Sequence, residues 1–158
     1  MRKLFIITIT FFLIATVNSY AEVIKKILID GNKRVSDETV IIYGDIELNK
    51  NILEKDINEI IRKLYSTNFF EEVNINLKNN VLSVKLKEYP VVNQLIILGE
   101  KRDSFQKQIK KIIKLKENKS FVRSFLARDI SLIERFYASL GFNFSKVEAK
   151  VRKLDDAK

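Results

Sequence analysis

Ile27-Leu28-Ile29-Asp30-Gly31-Asn32-Lys33-Arg34-Val35-Ser36-Asp37-Glu38-Thr39-Val40 is the stretch whose reading decides the fold. Val23 to Ile29 is rich in β-branched residues and predicts a strand. Asp30-Gly31-Asn32 is a turn signal that stops it. Ser36 is placed to cap a helix, and Asp37 and Glu38 fall in its first turn, where the helix dipole favours acids. That helix is short and is expected to end near Gly44.

Working toward the C-terminus, Leu53, Ile57, Ile60, Ile61 and Leu64 form one apolar stripe at helical spacing and predict a second helix. Two strands follow. Val73, Ile75 and Leu77 alternate with Glu72, Asn74, Asn76 and Lys78; Leu82, Val84 and Leu86 alternate with Ser83, Lys85 and Lys87. Strict alternation means one buried and one wet face. Asn79-Asn80 suits a two-residue hairpin turn because Asn tolerates positive φ. Pro90 is a natural boundary. Tyr65, Phe69 and Phe70 read as packing residues, and Gly31 and Gly99 as turn glycines.

A second unit repeats the first. Ile29-Asp30-Gly31-Asn32-Lys33-Arg34 aligns with Ile97-Leu98-Gly99-Glu100-Lys101-Arg102, and Leu64-Tyr65-Ser66-Thr67-Asn68-Phe69 with Phe136-Tyr137-Ala138-Ser139-Leu140-Gly141-Phe142 after one insertion. Such a period means duplicated small domains. Val91 to Leu98 predicts a strand; Phe105, Ile109, Ile112 and Ile113 mark a helix. Leu126, Ile130, Ile133, Tyr137 and Leu140 mark another, with Gly141 at its end. Phe144 to Val151 predicts a further strand. One more strand is due by the repeat, and the chain stops at Lys158 without it. A sheet of two strands is marginal, so this unit is expected to be unstable.

Residues 1–21 read as a secretory signal peptide: Arg2 and Lys3, an apolar run from Leu4 to Val17, then small residues before a cut between Ala21 and Glu22. The run is shorter than the ~20 apolar residues of a spanning helix. Of the net charge of +9, residues 91–158 supply most, with 16 basic and 8 acidic side chains. Export speaks against a nucleic-acid partner despite that charge, and there is no GxxG, GxGxxG or Walker spacing. Lys33-Arg34 and Lys101-Arg102 read as solvated loop charges. The chain has no Cys and no His, which removes thiol chemistry, the usual general base and the commonest metal ligand. No catalytic, cofactor or metal site is expected.

The Ile27–Val40 run resembles the opening of a POTRA domain, the polypeptide-transport-associated module. Leu64 to Val73 resembles the segment joining that module's second helix to its second strand. Val84 to Pro90 is similar to the junction between successive modules. The best resemblance is to the N-terminal region of the BamA-like outer-membrane assembly factors. Asn68 departs from the pattern, standing where that family often has Gly. The fold expected is α+β: tandem βααββ modules, each a three-stranded mixed sheet covered by two helices. The first would span 22–90; the second, 91–158, would lack its last strand.

The resemblance implies a non-enzymatic, exported chain at the periplasmic face of the outer membrane. It would capture unfolded outer-membrane proteins by β-augmentation and dock accessory assembly lipoproteins. Insertion would belong to a transmembrane barrel that this chain lacks, so the chain reads as the N-terminal part of a longer protein or as a truncated one. The implied binding edge is Glu72, Val73, Asn74, Ile75, Asn76 and Leu77, and proline at Asn74 or Asn76 would test it. Alternatives are the POTRA region of a two-partner secretion or translocation transporter, and a divisome scaffold held by an uncleaved N-terminal helix.

Overall fold

The computed structural model describes residues 22–154. The leader and Ala21 of the expected cleavage junction lie outside the described residues. The first module contains β1 (Glu22–Val23), β2 (Lys26–Asp30), α1 (Asp37–Gly44), β3 (Asn51–Ile52), α2 (Glu54–Ser66), β4 (Phe70–Lys78) and β5 (Val81–Glu88). Its main sheet has the order β2-β5-β4. β5 runs parallel to β2 and antiparallel to β4. The last strand in sequence is therefore the middle strand in space.

The local signals explain these elements. Ser36 Oγ accepts the Thr39 N–H at 3.3 Å and caps α1. Leu53 cannot cap α2 with its own side chain, but the Asp56 carboxylate accepts the Leu53 N–H at 2.9 Å. Asn79 and Asn80 take φ of 53° and 63°, the left-handed values of a tight hairpin whose twist suits its strands. Asn68, at φ 58°, adopts the conformation that glycine would supply. The apolar stripe of α2 packs Ile60 and Leu64 onto Phe70, Val73, Leu82, Val84 and Leu86. Leu82 and Val84, both fully buried on the central strand, each contribute about 1.5–3 kcal/mol gross.

The expected strand Val23–Ile29 is divided. Ile24 turns its backbone away from the main sheet: its N–H donates to Lys50 O at 3.1 Å, and its carbonyl accepts from Asn49 at 2.7 Å. β1 thus pairs with β3 in a separate ribbon, and the chain passes to the main sheet at Lys26. Burial of the Ile24 side chain inside the core fixes this crossing.

The second module differs from expectation. It has α3 (Asp103–Ile112) and α4 (Arg123–Ser139), but neither Val91–Leu98 nor Phe144–Val151 is a strand among the described residues. In the first module β5 pairs with both of the other strands of its sheet, and among the described residues of the second module no strand takes that central place. Phe144 is 98% exposed and Leu98 87% exposed. Amides of residues 144–151 are expected to exchange at nearly unprotected rates, whereas those of β5 are protected. Protection of 144–151 comparable to that of β5, read by NMR hydrogen exchange, would contradict this account.

The helical part of the second module keeps its own packing. Ile109, Ile113, Leu115 and Val122 are buried. Asp129, buried on α4, accepts the N–H groups of Lys114 and Leu115 at 2.7 and 2.8 Å and closes the end of α3. Phe105, Phe136, Tyr137 and Phe142 meet edge to face or tilted. The β1–β3 ribbon also recurs: Val91 bridges Ser120, Val92 N–H donates to Lys119 O, and Asn118 N–H donates to Val92 O. Asn49 and Asn118 are both left-handed, at φ 63° and 61°. Their shared Asn-Lys dipeptides, Asn49-Lys50 and Asn118-Lys119, are the sequence trace of this second repeat.

Candidate polypeptide-binding edge

β4 lies at one border of the main sheet and is its longest strand, nine residues against five in β2 at the other border. The hairpin fixes which backbone groups face outward. Lys78 and Val81 flank a two-residue turn and form its closing hydrogen-bonded pair. By alternation, Asn76, Asn74 and Glu72 also bond inward to β5, with register partners Ser83, Lys85 and Lys87. Val73, Ile75 and Leu77 therefore turn their N–H and C=O groups outward. The six residues named from the sequence lie on one border strand, and three of them, Val73, Ile75 and Leu77, turn their backbone groups outward.

The side chains divide in the opposite sense across the sheet. Val73 is buried against the helices, with Ile75 and Leu77 partly buried beside it. Glu72, Asn74 and Asn76 stand on the wet face. The expected test sites Asn74 and Asn76 are thereby corrected. Proline there would remove a donor from the protein's own ladder; a proline that spares the fold belongs at an outward position.

The ends of the edge are tied down. A bulge interrupts pairing between Phe70 and Glu72. Beside it, Lys87 on β5 bridges Glu71 at 2.9 Å and Glu72 at 3.1 Å. Hydrogen bonds to Glu71 and then Glu72 hold the Lys87 ammonium above its usual range. Phe70 is fully buried, and Phe69 packs edge-on against Tyr43 and Phe70, as expected of packing residues. Tyr65 departs from that expectation: it is 43% exposed, and its phenol oxygen accepts the Val73 N–H at 3.1 Å.

A second cluster holds the turn after β2, and the sequence does not reveal it. Glu88, at the end of β5, accepts N–H groups from Lys33, Arg34 and Val35 at 2.7, 2.9 and 3.0 Å. Its other oxygen faces Arg34 Nε at 2.9 Å, and Arg34 Nη2 donates to Tyr89 O at 2.9 Å. Arg34 is thus a structural clamp and not a free loop charge. Arg102 is likewise engaged, paired with Glu100 at 2.7 Å and stacked 3.6 Å from the centre of the Phe105 ring. Glu100 also accepts the Tyr137 hydroxyl at 2.6 Å, and Arg102 foremost with Tyr137 next holds its carboxyl far below the usual range. Where the first module locks its turn from β5, the second locks it from within the turn.

Known proteins match this arrangement. A profile described as "POTRA domain, FtsQ-type" matches residues 23–89, and one described as "POTRA: Surface antigen variable number repeat" matches residues 90–158. The chain belongs to the POTRA-domain family and carries two such modules in tandem, a class of non-catalytic module in BamA. Within that family, the match is to the N-terminal periplasmic region of BamA/Omp85 proteins. The outer membrane protein assembly factor BamA of Neorickettsia risticii is 25% identical over 87% of this chain. That of Neisseria meningitidis serogroup B is 25% identical over 83%. The chain spans only 18% and 17% of the lengths of these two relatives. The fold matches the N-terminal domain of Omp85 from Thermosynechococcus elongatus at a TM-score of 0.55 and 15% identity, over 77% of this chain and 53% of that one. It also matches POTRA1-2 of the periplasmic domain of Omp85 from Anabaena, at 0.53 and 13%, over 85% of this chain and 90% of that one.

Proposed function

We propose that residues 22–90 and 91–158 form the polypeptide-binding region of an outer-membrane protein assembly factor, acting in the periplasm after a leader is cut between Ala21 and Glu22. In this reading β4 captures unfolded β-barrel precursors by strand addition, and the modules dock accessory assembly lipoproteins. Insertion into the outer membrane would fall to parts of the machinery other than these modules. The observation that carries the reading is the border position of β4, with the backbone groups of Val73, Ile75 and Leu77 turned outward. Such an edge is a template for another strand, and backbone pairing is nearly blind to the guest's sequence. About five bonds at ~1 kcal/mol net each barely exceed the cost of ordering a peptide. Binding is therefore weak and reversible, as handing on a client requires.

Leu77→Pro tests it. The change deletes an outward donor and leaves the inward ladder in place. Affinity for a peptide of about ten residues, alternating Val and Thr between terminal lysines, is expected to fall about five- to tenfold by NMR titration. Unchanged affinity with β4–β5 amides still protected would sink the edge assignment. The FtsQ-type description of the first match favours a divisome scaffold as a second reading. The tandem arrangement weighs against it, since such a scaffold carries one module.

A further inference from the structure

We infer that Tyr65 sets where a guest strand can begin to pair on β4. This rests on the strand-capture reading above and deepens it. Of the outward donors on that edge, the Val73 N–H is already bonded to the Tyr65 phenol oxygen at 3.1 Å. Tyr65 sits near the C-terminal end of α2, so its ring reaches over the border beside the Phe70/Glu72 bulge. A guest arriving at this border finds the N–H groups of Ile75 and Leu77 open and that of Val73 occupied. Pairing therefore starts at Ile75 and runs toward the hairpin. Because side chains alternate faces, the starting residue decides which guest side chains lie over Ile75 and Leu77 and which lie beside Asn74 and Asn76. A single hydroxyl thus limits the length of pairing and its register.

The repeat supports a positioning role. Tyr137 is the counterpart of Tyr65, and its hydroxyl donates to Glu100 instead of meeting a strand. In the module without sheet pairing, this phenol is bound to the turn. In the module with a finished sheet, it caps the edge. The Tyr65 ring is half exposed, so removing only its oxygen leaves the packing of α2 intact.

The test is Tyr65→Phe in the full chain, with the Val–Thr peptide described above as probe. In the parent chain, saturating peptide is expected to protect the Ile75 and Leu77 amides from exchange and leave Val73 as it was. In Tyr65→Phe, the Val73 amide exchanges faster without peptide and becomes protected with it. The extra bond tightens binding about fivefold. Equal affinity in both chains, with the same peptide-dependent protection pattern, would overturn the role of Tyr65 and leave the edge standing. No protection of Ile75 or Leu77 in either chain would overturn the edge itself, and this inference with it. Native-like amide protection across β5 in the variant establishes that it folds.

Discussion

Gly31→Ala is expected to cost the first module about 3–5 kcal/mol, a large share of the ~5–15 kcal/mol that small domains hold in all. Two penalties combine. Gly31 has φ 89°, and an L-residue there costs ~1–2 kcal/mol. A Cβ at this position would also stand 1.9 Å from the carbonyl oxygen of Leu86. That oxygen belongs to the central strand, paired on both sides, and cannot retreat without breaking the sheet. Overpacking against so rigid a neighbour adds a further ~1–3 kcal/mol or more. The control is Gly99→Ala. Gly99 has nearly the same φ, 86°, but nothing lies within 4 Å of its added Cβ. Only the backbone penalty applies there. Denaturant unfolding of both variants checks the difference, and equal losses would show that the contact with Leu86 is unimportant.

Glu88→Ala is expected to cost about 2–4 kcal/mol, because three backbone donors lose a carboxylate partner and Arg34 loses its counter-charge. The Glu88 side chain is only 7% exposed, so water replaces it poorly. This site also makes stability depend on pH. Burial pushes the Glu88 carboxyl up, but the N–H groups of Val35, Arg34 and Lys33 and the Arg34 charge together outweigh it and hold its pKa below the ordinary value. A carboxylate with a depressed pKa in the fold stabilises at pH above its unfolded value, near 4.5, and loses that contribution as pH falls through the folded value. The parent chain should therefore lose stability on acidification below that point, while Glu88→Ala loses less. The gap between their unfolding free energies should narrow from pH 7 toward pH 3. A gap that stays constant over this range would show that Glu88 is not held ionised by the turn.

These two residues also mark how far the sequence could be read. Gly31 announces a turn, but its spacing from Leu86, 55 positions later, is invisible along the chain. The carboxylate of Glu88 closes the same turn from an equally remote position, so Lys33 and Arg34 pass for free surface charge. Local signals fared better. Ser36 caps α1, the Leu53–Leu64 stripe faces the core, Asn79-Asn80 turns the hairpin, and Asn68 stands in for glycine. Each depends on neighbours within one or two turns of chain. The strand edge falls between these cases. Alternation from Glu72 to Leu77 tells which side chains are wet, but not which backbone groups face outward. That depends on the register of the hairpin and on which side β5 lies.

By itself, the sequence determined the helices of both modules, the β4–β5 hairpin of the first, the duplication, the positions of the turns and the absence of thiol and imidazole chemistry, because these follow from side-chain identity and short-range periodicity. The tertiary structure alone decided that β5 is the middle strand, that residues 91–98 and 144–151 are not strands, and that Tyr65 occupies a border donor. Those outcomes are set by hydrogen bonds between segments far apart in the chain, whose partners no local pattern names.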